Sequence, residues 1–247
     1  MTGMNVPPFD SMVCTKNIPR RDRLIFAMDV ASHSEAKALA RRLGDSVAFY
    51  KLGLQMFMSG GYFDLVDWFR AENKQVFADL KFFDVPETVK SAVAQLKNRN
   101  ITFVTVHGND SILEAAVSQK DGIKVLAVTV LTSLDNADLR DLGFQVDVKA
   151  LVLSRARRAL AIGCDGVISS GLEAPELRSE LGDNFLVVAP GIRPVANVDD
   201  QKRTVDVVTA FRNGADYIVV GRPIRDAPDA KQAAERIQSD IASLFPE

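Results

Sequence analysis

Eight short apolar runs, each followed by a longer stretch of helical character, constrain this chain more than any other feature. The runs cover residues 24–29, 47–53, 76–82, 102–108, 123–131, 165–170, 185–190 and 216–221, and they are rich in Val, Ile and Phe. That composition reads as strand. Runs that are apolar almost throughout belong to a sheet covered on both faces, as parallel sheets are. Residues 34–43, 55–72, 87–97, 111–119, 148–162, 174–181, 204–213 and 228–244 read as helices. Ser32 or Ser34 can cap the first of them, and Gly44, Gly163, Gly182 and Gly214 stand where helices usually stop. Eight β/α units in a row favour a closed barrel over an open doubly wound sheet, which the pattern alone leaves as the alternative. The chain has 247 residues, close to the roughly 250 that such a barrel takes as one domain. The expectation is an α/β protein: a single-domain TIM (β/α)8 barrel over residues 23–247, behind a mobile tail over 1–22.

The third run carries the most informative residues. Side chains alternate along a strand, so Asp79 and Lys81 are expected to face the same way at its C-terminal end, with Asp84 three residues on in the next loop. Charges there are costly unless paired, and this end of a barrel is where active sites sit. Asp29 ends the first run and Lys51 lies near the end of the second, so adjacent strands bring Lys51, Asp79 and Lys81 together beside Asp29. An ion-pair network that merely fills the barrel mouth is the plain structural reading. Four charges on three consecutive strand ends weigh toward function. A lysine held among carboxylates keeps its charge and can steady, then protonate, a developing carbanion. A carboxylate set against an anionic substrate group is relieved when that group leaves as a neutral molecule. Decarboxylation meets both conditions, although aldol or isomerase chemistry on a phosphosugar also passes through a carbanion-like state.

The seventh run leads into Pro190-Gly191-Ile192-Arg193-Pro194 and the eighth into Gly221-Arg222-Pro223. Barrels frequently hold phosphate in these two loops. Glycine lets backbone N–H groups approach an anion, and arginine adds forked, charge-assisted hydrogen bonds. The polar stretch between Arg193 and Thr204 reads either as a solvated loop or as a lid over the phosphate, with Gln201 as a candidate donor. Thr132 and Ser133, after the fifth run, can read the polar edge of a planar ring; helix capping by Ser133 or Asp135 is the competing reading. His107 ends the fourth run as either a catalytic or a structural histidine, and His33 reads as surface.

The rest of the composition excludes more than it assigns. The net charge is −2 with both signs interspersed, against the basic stripe of a nucleic-acid surface. The two cysteines, Cys14 and Cys164, have no zinc or disulfide spacing. No apolar stretch approaches the roughly 18 residues of a membrane span, and the first 22 residues lack the apolar centre of a secretory signal. A cytoplasmic location is expected, with Cys14 a free thiol.

The segment Asp79-Leu80-Lys81-Phe82-Phe83-Asp84-Val85-Pro86-Glu87-Thr88 resembles the D-x-K-x-x-D-[IV]-P-x-T signature of orotidine 5′-monophosphate (OMP) decarboxylases. The resemblance spans residues 24–245 and takes in Ala27-Met28-Asp29, Lys51-Leu52-Gly53, Leu131-Thr132-Ser133, the Arg193 and Arg222 loops, and Asp200-Gln201. It implies conversion of OMP to uridine 5′-monophosphate (UMP) in pyrimidine synthesis, without metal or organic cofactor, by a homodimer. It implies that Asp29 and Lys51 bind the ribose, that Asp79 lies against the substrate carboxylate, and that Lys81 protonates C6. Asp84 and Thr88 would reach into the partner's site, Thr132 or Ser133 would touch the pyrimidine, and Arg193, Gln201, Gly221 and Arg222 would hold the phosphate. The chain departs from some bacterial relatives in having Val195 where they place a Gln, so the phosphate role passes to Gln201. The rival readings are a magnesium-dependent phosphosugar decarboxylase of the 3-keto-gulonate 6-phosphate type and a non-catalytic nucleotide-binding barrel.

Overall fold

Each of the eight apolar runs forms a strand. The structure, a computed structural model, describes residues 16–193 and 203–246. Strands β1 (Leu24–Ala27), β2 (Phe49–Gly53), β3 (Gln75–Phe82), β4 (Phe103–Val106), β5 (Lys124–Val128), β6 (Gly166–Ile168), β7 (Leu186–Ala189) and β8 (Tyr217–Val220) pair in parallel, each with the next, and β8 closes on β1. The closed barrel settles the choice left open against a doubly wound sheet.

The helices follow in chain order: α1 (His33–Leu43), α2 (Leu54–Met58), α3 (Tyr62–Ala71), α4 (Pro86–Ala94), α5 (Asp110–Val117), α6 (Asn136–Asp141), α7 (Val148–Ile162), α8 (Ala174–Leu181), α9 (Val207–Arg212), α10 (Arg222–Arg225) and α11 (Ala230–Leu244). Ser32 caps α1, accepting from the Glu35 N–H at 3.2 Å. The single helix expected over 55–72 is two, because Gly60 and Gly61 between α2 and α3 take φ of 81° and 57°, which a continuing helix cannot contain. The short helix α10 was not foreseen, and α6 was raised only through the capping reading of Ser133 and Asp135. Asp135, rather than Ser133, caps α6 and forms a reciprocal capping box with Asp138.

Two apolar layers result. One lies between the strands and the helices. The other fills the barrel itself, where Phe49, Phe77, Phe103 and Tyr217 meet with ring centroids 5.1–6.1 Å apart around Phe103 and Phe49. Closing the sheet this tightly needs one residue without a side chain: a Cβ on Gly166 would lie 2.3 Å from the Leu186 carbonyl oxygen.

Of the segment read as a tail, residues 1–15, with Cys14, lie outside the described residues. Residues 16–22 rest on the barrel's lower end: Lys16 Nζ is 2.8 Å from Asp216 Oδ1, Ile18 packs on the inner cluster, and Arg20–Asp22 form a helical turn. Arg178 joins the same buried carboxylate at 2.8 Å, so Asp216 is buried with its charge matched. Burial, aided by Asp165, pushes the Cys164 thiol up to about 12, which makes it inert at neutral pH. Among the described residues, no helix is long and apolar enough to cross a membrane.

Candidate active site

The aromatic floor of the barrel determines what lies above it. Inner positions recur every second residue along a strand. Phe49, Phe77 and Phe103 occupy one inner level of β2, β3 and β4, and the next inner position on each strand is Lys51, Asp79 or Thr105. The C-terminal end of the barrel therefore changes within one step from an apolar plug to a charged surface. That surface is the bottom of a cavity of about 520 Å³, a size suited to a small ligand.

Asp79 is the centre of the charged layer. Its Oδ2 is 3.1 Å from Lys51 Nζ and its Oδ1 is 2.8 Å from Lys81 Nζ, while Asp29 Oδ1 is 3.8 Å from Lys51 Nζ on the other side. The Thr105 hydroxyl also donates to Asp79 Oδ1, at 2.9 Å. Burial alone would push the Asp79 carboxyl up, but Lys51 and then Lys81 outweigh it and bring it down to about 2. Burial likewise opposes the charge on Lys51, and Asp79 followed by Asp29 more than restores it, so its pKa is raised. In space the layer runs Asp29, Lys51, Asp79, Lys81, acid alternating with base.

Strand alternation does not by itself explain the Asp79–Lys81 contact. Lys81 has φ of 47°, left-handed for a residue with a full side chain, and the β3–β4 register shifts between Ala78 and Phe82. Four steps along β3 there span two along β4. The expected convergence is present, but a bulge produces it, and bulges re-aim side chains beside active sites. Such a conformation costs on the order of 1–3 kcal/mol and persists only where its surroundings enforce it. Here the Lys81 N–H leaves the ladder and donates to Thr105 Oγ1 at 2.9 Å.

The loops after β7 and β8 carry the phosphate candidates. Gly191, Arg193, Gly221 and Arg222 all line the cavity. Gly191 takes φ of 76°, which explains glycine in that turn. Arg193 is buried, and its backbone N–H donates to the Val205 oxygen at 3.0 Å. Arg203 pairs with Glu173 at 2.6 Å and donates to the Val130 and Leu131 carbonyls at 3.0 and 2.8 Å. Both flanks of the 194–202 stretch are thus tied beside the cavity, whereas the stretch itself, Gln201 and the proposed lid included, lies outside the described residues. Thr132 and Ser133 line the wall between the two groups, with Val128, Val130 and Ile168 giving it an apolar face.

The structure brings Asp29, Lys51, Asp79, Lys81, Thr132, Ser133, Arg193, Gly221 and Arg222 to one cavity. Asp84 and Thr88 are exposed and lie outside its lining, and the Asp84 carboxylate accepts from the Val85 N–H at 2.7 Å. His107 lines a separate hollow with Arg155 and Arg158, its ring edge-on to Phe83 at 5.2 Å. Burial, then Arg155 and Lys81, lower its pKa. His33 opens α1, half-buried. Sequence reasoning missed Thr105, Gln55 and Arg225. Gln55 and Arg225 line the cavity, and the Arg225 guanidinium donates to the Asp29 carbonyl at 2.8 Å. The spacing of Thr105 two residues after an inward phenylalanine was the available signal. Arg225 gave none, because it belongs to the unforeseen α10. Among the described residues, no group of three or more His, Cys, Asp or Glu gathers as a cation site.

Residues 22–237 match the model of the "Orotidine 5'-phosphate decarboxylase / HUMPS family". The orotidine 5′-phosphate decarboxylase of Methylococcus capsulatus is 63% identical over 237 residues, covering 95% of this chain and 98% of that protein. The protein of the same name from Xanthomonas campestris is 48% identical over 241 residues, covering 96% of each chain. The crystal structure of orotidine 5′-phosphate decarboxylase from Lactobacillus acidophilus superposes with a TM-score of 0.78 at 34% identity, over 89% of this chain and 99% of that one.

Proposed function

This chain belongs to the orotidine 5′-phosphate decarboxylase / HUMPS family, and from that premise we propose a reading of its cavity residue by residue. The reaction is decarboxylation of OMP to UMP, a step of pyrimidine synthesis. One observation carries the assignment of roles: Asp79, ionised and clamped between Lys51 and Lys81, forms the floor of a cavity that Arg193 and Arg222 also line.

The phosphate is held by Arg193, Gly221 and Arg222, with Gln201 as a further donor. The ribose hydroxyls face Asp29 and Lys51, and the pyrimidine edge faces Thr132 and Ser133. This pose sets the C6 carboxylate against Asp79. Because the Asp79 pKa is about 2, the two carboxylates meet as two negative charges, which disfavours the bound ground state. As the bond from C6 to the carboxyl carbon breaks, carbon dioxide leaves neutral and the electron pair stays on C6. The Lys81 ammonium, held 2.8 Å from Asp79, steadies that pair and then transfers a proton to it. Charge is stabilised where it develops, by groups oriented in advance.

The active unit is a homodimer in which Asp84 and Thr88 serve the neighbouring site. Supporting this, Phe83 and Val85, which flank Asp84 in the chain, are 67% and 64% exposed, an apolar pair that a neighbouring subunit would cover. The deciding experiment mixes purified protein with OMP, chelator present, and follows the loss of orotate-type absorbance. Persistent absorbance would overturn the reading. Loss only after magnesium is restored would transfer the site to metal-assisted chemistry.

A further inference from the structure

One residue at the level of the charged layer has no part in the mechanism above. Thr105 on β4 is fully buried behind Asp79. Its Oγ1 lies 2.9 Å from the Lys81 amide nitrogen and 2.9 Å from Asp79 Oδ1. The direction of both bonds is fixed by chemistry. An amide N–H can only donate and an ionised carboxylate can only accept, so the hydroxyl accepts from Lys81 and donates to Asp79.

We propose that Thr105 is a positioning residue for the decarboxylation, its hydroxyl coupling the backbone bulge at Lys81 to the orientation of the Asp79 carboxylate. The proposal rests on the reading of Asp79 and Lys81 given above and extends it. Lys81 sits at φ of 47°, a region that side-chain-bearing residues seldom enter. Regular pairing with β4 is the competing arrangement, and one step of slip would turn the Lys81 side chain to the other face of the sheet. Only the Thr105 hydroxyl takes up the N–H that the bulge removes from the ladder. The same hydroxyl fixes Asp79 Oδ1, the oxygen that also accepts from Lys81 Nζ at 2.8 Å. Proton donor and repelling carboxylate are thereby referred to one atom on the neighbouring strand. Thr105 acts through these two groups and does not itself touch the substrate.

The test compares Thr105→Val, which keeps the shape and removes the hydroxyl, with Thr105→Ser, which keeps the hydroxyl. The valine variant should lose on the order of 10- to 100-fold in kcat, the scale of small misplacements of catalytic groups. Its Kd for UMP, measured by titration calorimetry, should stay close to that of the unsubstituted protein, because Arg193, Gly221 and Arg222 belong to the loops after β7 and β8, and Lys51 meets Thr105 only through Asp79. The serine variant should recover most of the turnover. If the valine variant fails to fold, Thr105→Ala is read against Thr105→Ser by the same criteria. Unchanged kcat without the hydroxyl overturns the proposal, as does a matching loss of UMP affinity that serine fails to restore. Unsubstituted protein that leaves OMP intact overturns the decarboxylase reading, and this proposal with it. An active parent with an unaffected valine variant overturns the proposal alone.

Discussion

The carboxylate of Asp79 and the ammonium of Lys81, two residues apart on β3, meet at 2.8 Å across a backbone that has left the regular β conformation between them. In an unbroken strand these side chains would project side by side, separated by two steps of the strand's rise, about 6.6 Å. The bulge bends Lys81 back over Asp79 without moving Asp79 off the second lysine, whose Nζ is 3.1 Å from its other oxygen. One carboxylate thus orients two cations that come from different strands.

Replacing Lys81 with Ala should remove the proton donor and the charge facing C6 together. Turnover should fall by on the order of 1,000-fold or more, since stabilisation of developing charge is commonly the largest catalytic effect. UMP affinity should remain measurable, because the product carries no charge at C6. Steady-state assays with OMP and calorimetry with UMP check both. Near-normal turnover would remove Lys81 from the role of donor.

The charged layer also makes stability depend on pH at both extremes. The Asp79 pKa is about 2 when folded, below its ordinary 3.8, so its contribution is complete above the unfolded value and is lost as pH falls through the folded one. That contribution is about 2 kcal/mol by linkage. Lys51 has the opposite sign: its raised pKa contributes fully below the unfolded lysine value and is lost as pH rises through the folded one. Urea unfolding of the parent and of Asp79→Asn should give a stability difference that is flat near neutrality and shrinks from about pH 4 toward pH 2. A difference independent of pH would show that the lysines do not hold the carboxylate down.

Much of this was legible in the sequence, and the reasons differ by element. The eight strands were readable because a sheet covered on both faces leaves nearly unbroken apolar runs such as Tyr217–Val220. Helix α7 was bounded correctly because Asp147 caps its start and Gly163, at φ of 101°, its end. Helix α10, of four residues, was missed and α6, of six, was betrayed only by its capping residue, because so short a segment shows hardly more than one turn of periodicity. Asp79, Lys51 and Asp29 could be placed together since charges at the ends of adjacent strands must converge. The spacing of Thr105 from Phe103 puts it at the same inner level, but a threonine is ordinary within a strand and that level alone gives it no role. Its role depends on a left-handed residue of the neighbouring strand, which local sequence does not announce.

Gly166 offers a test of the barrel independent of its chemistry. An added Cβ would come within 2.3 Å of the Leu186 oxygen and 2.6 Å of the Leu186 Cβ, and backbone cannot yield as a flexible side chain can. Gly166→Ala should therefore destabilise by about 3 kcal/mol, the upper range for overpacking. Thermal or urea denaturation would read it. Unchanged stability would mean that β6 and β7 are less tightly joined than their pairing implies.

The phosphate wall should respond in binding before chemistry. Replacing Arg222 with Ala removes a cation from a group that charge-assisted hydrogen bonds hold at about 1.5–3 kcal/mol each. UMP affinity and kcat/KM for OMP should both fall by on the order of 10- to 100-fold. Uridine, which has no phosphate, should bind the variant and the parent equally. If uridine binding falls as far as UMP binding, Arg222 acts on the shape of the cavity and not on the phosphate.

The last prediction concerns Asp84, which is exposed and outside the cavity its own chain forms. If it serves a neighbouring site, Lys81→Ala and Asp84→Ala chains each give an impaired homodimer, but their defects separate on mixing. One site of a mixed dimer then takes Lys81 from one chain and Asp84 from the other, and is intact. The second site carries both substitutions. Random exchange places half the dimers in the mixed class, so about a quarter of all sites become native in a two-fold assembly. Activity should rise toward that fraction as the chains exchange, with exchange itself followed by mass spectrometry of differently tagged chains. Verified exchange with no gain in activity would confine each site to a single chain and leave the exposed Asp84 to some other use.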